Sequence, residues 1–300
     1  VFTEDAGEFS GLHIKKGSEK ITRKLEELGA LLHLGNVSHS YPHCWRCKEP
    51  VIFRATEQWF IDLEHNNLRQ AALNEIKRTK WIPDWGETRI TNMVAARPDW
   101  CISRQRSWGV PIPAFYCIKC NEVLLSARVI YHVRDVFEKH GADSWFYKDA
   151  SDFLPEGTRC TKCGCAEFRK ESDIFDVWFE SGSSHHAVVH KRAELSFPAD
   201  MYLEGTDQHR GWFQLSLLPS VGAWGCAPFK TVLTHGFVVD EKGEKMSKSA
   251  GNFISVEDAL KEFGGDIIRL WTSSIDYTND MNVSRNLINW MSDAYRRIRN

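Results

Sequence analysis

The sequence has no apolar run long enough to cross a bilayer, which takes about 20 residues. Its longest uncharged stretch, Gly211 to Phe229, is broken by Pro219, Gly222, Gly225, Pro228 and two serines, and reads as buried core. No secretory signal opens it. It lacks internal repeats, heptads and low-complexity tracts, which excludes solenoids, coiled coils and collagen-like chains. Neither charge dominates: 38 Lys+Arg against 40 Asp+Glu leave a net −2. That balance excludes a dedicated non-specific nucleic-acid binder and leaves room for a local basic patch.

What is present describes a folded chain. Of 300 residues, 42% are apolar and 26% charged, the balance of a globular protein. The length fits about two domains and can bury a core without disulfide staples. Twelve Trp, seven Tyr and 17 Phe supply both cores and flat apolar pockets. The chain opens on Val1 within what reads as folded sequence, so the expectation is a piece of a longer protein.

Nine cysteines are an odd number and carry no export signal, which argues against a disulfide framework. Six form three CxxC knuckles: Cys44/Cys47, Cys117/Cys120 and Cys160/Cys163. Two such knuckles can close a tetrahedral zinc site. Cys117-Ile-Lys-Cys120 and Cys160-Thr-Lys-Cys163-Gly164 read as one complete structural site, against the plainer alternative of buried thiols. Cys44/Cys47 has no second knuckle left to pair with, so its metal binding stays open. Cys165 is a spare, and Cys101 and Cys226 read as small buried hydrophobes.

The apolar spacing of Ile21, Leu25, Leu28 and Leu32 predicts a helix over 18–32. Residues 37–175 read as an insertion of short strands, knuckles and Pro/Gly-rich turns, with a strand at 123–125 and a helix at 128–140. From Asp176 the texture changes. Met201–Leu203 and Thr231–Leu233 read as buried parallel strands, with Trp212–Trp224 as the crossover helix. Helices are expected over 256–263, with Ser255 as N-cap, and over 266–273 and 286–299.

Three strings carry chemistry. Lys245-Met-Ser-Lys-Ser249 lies in a polar, Gly-flanked loop, where two lysines three apart can reach one triphosphate. Glu204-Gly-Thr-Asp-Gln-His-Arg-Gly-Trp212 follows directly on a strand, where open α/β sheets bind ligands. Its carboxylates, Glu204 and Asp207, suit ribose hydroxyls or an ammonium group, and Gly205 lets a ligand approach the backbone. Asp176-Val-Trp-Phe-Glu-Ser-Gly182 places Trp178 in the core or beside an apolar pocket. The neighbouring His185 and His186 read as exposed loop residues without a catalytic role.

These strings, with Asp99-Trp-Cys-Ile-Ser-Arg-Gln-Arg-Ser-Trp-Gly-Val-Pro-Ile-Pro113, resemble the isoleucyl family of the class I aminoacyl-tRNA synthetases over nearly the whole chain. Glu180 departs from the family pattern, which has Asp there. The resemblance implies an α/β fold: the C-terminal half of a Rossmann-like catalytic domain, a zinc-bearing connective insertion and the start of an α-helical domain. The implied parts are an editing-domain exit at 1–36, the insertion at 37–175, the catalytic half at 176–275 and the helical anticodon-binding region from 276 to 300. The implied activity converts isoleucine and Mg-ATP to isoleucyl-adenylate, then charges tRNA(Ile). Lys245, Lys248 and Ser249 would act on the departing pyrophosphate. Glu204, Gly205 and Asp207 would hold the adenylate, while Gln208, Trp178 and Trp212 frame the amino acid. Cys117, Cys120, Cys160 and Cys163 would hold structural zinc. A monomeric, cytoplasmic parent enzyme is implied, with no membrane partner. The family's His-x-Gly-His signature does not occur in this sequence, so these 300 residues alone are expected not to turn over.

Three rival readings are a valyl-tRNA synthetase piece, a non-catalytic zinc-ribbon module for tRNA or protein, and an unrelated nucleotidyltransferase. Arg106 and Trp178, in their local strings, point to the isoleucyl pattern over the valyl one. A zinc ribbon leaves KMSKS and Glu204–Trp212 without a purpose. An unrelated nucleotidyltransferase has no need of the block at 99–113.

Overall fold

The computed structural model describes residues 1–44, 47–53, 55–244, 246 and 254–300. Two compact units, Val1–Thr56 and Glu57–Asn300, divide the chain. The first holds a 3-10 segment, Glu4–Phe9, and one amphipathic helix, α1 (Ile14–Glu27). The helix begins and ends earlier than the apolar spacing predicts. Gly29, at φ 63°, turns the chain behind it, and Ala30 N–H closes on Leu25 O at 2.9 Å.

The second unit begins with β1 (Phe60–Ile61), α2 (Leu68–Arg78), β2 (Lys80–Ile82) and α3 (Trp85–Ala95). It continues through β3 (Trp100–Cys101), β4 (Ser103–Arg104), β5 (Phe115–Cys117), β6 (Val123–Leu124), α4 (Ala127–His140), α5 (Ser144–Tyr147), β7 (Phe168–Lys170) and β8 (Ile174–Phe175). Then come α6 (Val177–Gly182), β9 (Ala199–Gly205), α7 (Trp212–Trp224), β10 (Phe229–His235) and β11 (Val238–Val239). It closes with α8 (Val256–Phe263), α9 (Gly265–Ser273), β12 (Met281–Asn282) and α10 (Arg285–Arg299).

The centre is a parallel sheet in the order β2-β10-β9. β9 and β10 are the expected parallel pair, and α7 is the connection between them. α7 is apolar nearly all round and correspondingly buried, with Phe213, Leu217 and Leu218 at most 1% exposed. Each such side chain contributes about 1.5–3 kcal/mol of burial. α2 packs on α7 and α3, so the helices and the sheet share one core that includes Ile76, Ile90 and Val232.

Three expectations need correction. Lys80–Ile82 lies within 37–175, yet it is a strand of the parallel sheet, paired with Thr231–Leu233. A three-residue strand followed by Pro83 has too short a pattern to be recognised as a sheet member. Met201 and Leu203 are exposed rather than buried, because β9 is a sheet edge and, among the described residues, that face is uncovered. His185 is buried at 2% exposure, in a π-helical turn over His185–Val189. Its Nδ1–H donates to Gly182 O at 2.9 Å.

A second core surrounds the antiparallel sheet β6-β5-β7, where Phe115, Trp145 and Phe153 pack ring on ring. A third joins Ile267 and Trp271 of α9 to Ile288 of α10. Ser126, Ser255 and Ser284 cap α4, α8 and α10, each hydroxyl accepting a first-turn N–H. No described helix is long and apolar enough to cross a membrane.

Candidate functional site

The parallel pair sets the site. Its register aligns Glu204 with Thr234 and Gly205 with His235, so the carboxylate-bearing loop leaves the C-terminal ends of the strands. A 3-10 turn, Thr206–His209, follows at once. His209 anchors it from below. Its ring is fully buried among Trp81, Trp85 and Phe213, and its Nδ1–H donates to Thr206 O at 3.1 Å. Burial pushes its pKa below the ordinary imidazole value. It is a neutral core histidine that holds the turn on α3.

Above that anchor, Gln208 is locked by its neighbours. Its Oε1 accepts from Trp212 N at 2.9 Å, and its Nε2 donates to Asp207 at 3.2 Å. Gly211 leaves room here, since a Cβ would sit 2.4 Å from Gln208 Oε1 and 3.1 Å from the Trp178 ring and would displace them. Trp178, Gln208 and Gly211 therefore meet at one point. Glu204 and Asp207 are exposed beside it.

Trp212 is held by its neighbours on β9 and α6. Its ring stacks on buried Tyr202 at 4.0 Å and 3°, and its Nε1–H donates to Ser181 O at 3.0 Å. Its indole is a strut between β9 and α6, whereas Trp178, 39% exposed, presents the freer aromatic surface.

The blocks at 99–113 and 176–182 are structurally one. β4 pairs with β8, and the buried Asp176 carboxylate meets Arg104 at 3.0 Å and accepts from Trp100 Nε1 at 3.2 Å. The same carboxylate caps α6 by accepting from Trp178 N at 3.3 Å. Glu180 accepts from Val110 N at 3.1 Å, a use for a carboxylate at this position. Gly182 lets α6 touch α7, because a Cβ there would lie 2.0 Å from Leu215 O. Arg106 is exposed, and Lys245, Lys248 and Ser249 lie outside the described residues.

The cysteines form a separate centre. Cys117 and Cys163 Sγ are 3.4 Å apart, Cys120 and Cys160 Sγ 3.5 Å, and all four lie within 4.8 Å of one another. A tetrahedral ion with bonds of about 2.3 Å has sulfur–sulfur edges of about 3.8 Å, so the set fits zinc. Each knuckle turns on a left-handed residue, Asn121 or Gly164, whose N–H returns to Cys117 O or Cys160 O at 2.9 Å. Burial opposes ionisation of Cys117, but the Cys120 and Lys119 N–H groups outweigh it and bring the thiol down to about 6. Cys165 stays outside the four; its carbonyl accepts from Cys160 N at 2.8 Å. Cys44 and Cys47 join no such group among the described residues. Cys101 and Cys226 are half-buried.

Two groups here carry no sequence signal. Glu171 accepts from Tyr116 OH at 2.6 Å and Trp59 Nε1 at 2.8 Å, tying the cysteine-bearing sheet to the chain before β1. Burial and this carboxylate raise Tyr116 to about 12. The second group is Arg97 with Gln214, at the start of α7.

The profile of tRNA synthetases class I (I, L, M and V) matches residues 13–284. The isoleucine–tRNA ligase of Moorella thermoacetica is 55% identical over 299 residues, covering 100% of this chain and 32% of that protein. That of Syntrophotalea carbinolica is 57% identical with the same coverages. The chain thus spans about a third of the length of these curated relatives. A Mycobacterium tuberculosis methionyl-tRNA synthetase structure, bound by methionyl-adenylate, aligns at TM-score 0.53 and 16% identity over 84% of this chain and 40% of its own. That likeness shows the shared Rossmann-like α/β fold. With the parallel strands, the carboxylate loop and the profile over most of its length, the chain belongs to the class I tRNA synthetase family of the I, L, M and V group.

Proposed function

We propose that the chain is part of an isoleucine–tRNA ligase. The observation that carries this is its 54–57% identity to isoleucine–tRNA ligases over essentially its whole length. In the proposed reaction a carboxylate oxygen of isoleucine attacks the α-phosphorus of Mg-ATP. The bond to the bridging oxygen of the β-phosphate breaks, and pyrophosphate leaves. A terminal ribose hydroxyl of tRNA(Ile) then attacks the acyl carbon and expels AMP.

The residues divide this work by position. Glu204, Gly205 and Asp207, at the strand ends, hold the ribose side of the adenylate. Gln208, locked by Trp212 N and Asp207, helps frame the amino-acid pocket. Trp178 and Trp212 frame that pocket with it, Trp212 braced on Tyr202 and Ser181. Lys245 and Lys248, with Ser249, stabilise charge on the leaving pyrophosphate. No side chain forms a covalent intermediate; the chemistry is positioning and charge stabilisation.

Cys117, Cys120, Cys160 and Cys163 hold a structural zinc, because four thiolates leave no open coordination position. The connective insertion is read as 37–175, of which Lys80–Ile82, α2 and α3 pack with the parallel sheet, and α10 as the entry to a helical anticodon-binding region. A monomeric, cytoplasmic parent enzyme completes the reading. Titration with a non-hydrolysable isoleucyl-adenylate analogue, followed by Trp fluorescence, tests it. Saturable quenching that favours the isoleucyl analogue over valyl and leucyl ones is expected. Equal response to the valyl analogue would overturn the isoleucine assignment.

A further inference from the structure

The C-terminal half of α3, the turn at Arg97–Pro98 and the start of α7 line an open cleft of about 520 Å³. Its polar lining is Arg89, Asn92, Arg97, Arg210 and Gln214, with no carboxylate among them. Donors outnumber acceptors heavily. Gln214 is 1% exposed, and its Oε1 already accepts from Arg97 Nη1. Its Nε2, equally buried, has no hydrogen-bond partner among the described residues, and neither does Arg97 Nε. Such groups are costly to leave unmatched.

The charges are arranged the same way. Arg97 is half-buried at the base, and desolvation draws its pKa below the ordinary guanidinium value despite Asp176 nearby. Asp176 is itself engaged by Arg104. Arg89 and Arg210 are exposed at the rim. Arg210 follows Gln208 by two residues, so the cleft borders the carboxylate loop. A single carboxylate, with two oxygens and one charge, satisfies only part of three guanidiniums and an amide. Phosphates match guanidinium forks bidentately and bring more charge.

We propose that this cleft binds a pair of adjacent phosphate groups, from consecutive nucleotides of an RNA strand or from free pyrophosphate. The assignment does not rest on the aminoacylation reading. The sequence offers Lys245 and Lys248 as other candidate phosphate ligands, so the test uses the 300-residue chain carrying Lys245→Ala and Lys248→Ala. Calorimetric titration with pyrophosphate and with a short single-stranded RNA is compared with and without Arg89→Gln plus Arg210→Gln. Binding of at least one ligand is expected, weakened at least about tenfold by the pair, because hydrogen bonds to charged groups are the strong ones. For RNA, the salt dependence should flatten by about 0.7 per lost phosphate contact. Pyrophosphate binding alone assigns the free anion, and RNA binding alone assigns the strand. Gln214→Met, which removes the buried donor at similar volume, must weaken the same ligand and serves if the arginine pair misfolds. Absence of binding by either ligand, or binding that none of these substitutions changes, overturns the proposal.

Discussion

Arg104 meets the buried carboxylate of Asp176 at 3.0 Å, and through it two distant stretches of sequence become one support for α6. Trp100 and Arg104 arrive from the strands after α3, and Trp178 leaves from the helix that Asp176 caps. The aromatic wall beside Gln208 is therefore set by a buried charge that holds its backbone N–H rather than its ring.

Asp176→Asn keeps an acceptor for the cap but leaves Arg104 without its counter-charge. Breaking a buried pair costs about 3–5 kcal/mol. Arg104 is 41% exposed, so water recovers part of that. A loss of about 2 kcal/mol is expected in urea denaturation. A loss below a few tenths would show that the pair does not brace α6.

Gly182→Ala tests the contact between α6 and α7. The new Cβ would lie 2.0 Å from Leu215 O, a backbone atom that cannot rotate away. The helices must separate, at a cost of about 3 kcal/mol, the upper part of the range for overpacking. Trp178 moves with α6, so affinity for the isoleucyl-adenylate analogue should fall as well. Unchanged stability and binding together would refute the close crossing.

The parts legible in the sequence were those with local patterns. Ser255 before Glu257 and Asp258 marked the start of α8, and the apolar runs beside Glu204 and after Phe229 marked the parallel pair. Paired CxxC knuckles predicted a four-sulfur cluster that the structure brings together. Illegible features depended on partners far along the chain. Lys80–Ile82 becomes a strand through β10, and His185 is buried under the turn that begins at Gly182. Trp212 turns to Tyr202 because β9 lies beneath α7. Gln214 reads as an ordinary helix residue until Arg97 reaches it from over a hundred residues away.

The thiolate cluster should take up one zinc per chain. Cys160→Ser or Cys117→Ser should abolish that stoichiometry, while Cys101→Ser and Cys226→Ser retain it. Free zinc at about a hundred times its Kd adds about 2.7 kcal/mol of stability, which raises Tm by about 4 °C in a chain of this size. Metal analysis and calorimetry check both. Full zinc content in Cys160→Ser would exclude this site.

Acid should destabilise the fold through His185 and His209. Burial lowers both pKa values below the ordinary 6.5. Below that value the unfolded chain takes up protons that the folded chain refuses, so stability falls as pH drops from about 6.5. The slope reaches at most about 1.4 kcal/mol per pH unit for each histidine. His185→Asn with His209→Asn should flatten this limb of the denaturation profile between pH 6.5 and 5. An unchanged slope would place the acid sensitivity elsewhere.

Glu204→Gln separates binding from folding. Glu204 is exposed at the end of β9, so neutralising it should change stability by less than about 0.5 kcal/mol. Its proposed partner is a ribose hydroxyl, and a hydrogen bond to a charged group is worth roughly 1.5–3 kcal/mol. Affinity for the adenylate analogue should therefore drop at least about tenfold, with Tm unchanged. A control at Glu194, an acidic residue outside this loop, should alter neither. Wild-type affinity in Glu204→Gln would remove this carboxylate from the ligand's partners and shift the burden to Asp207, whose neutralisation to Asn would then have to produce the loss.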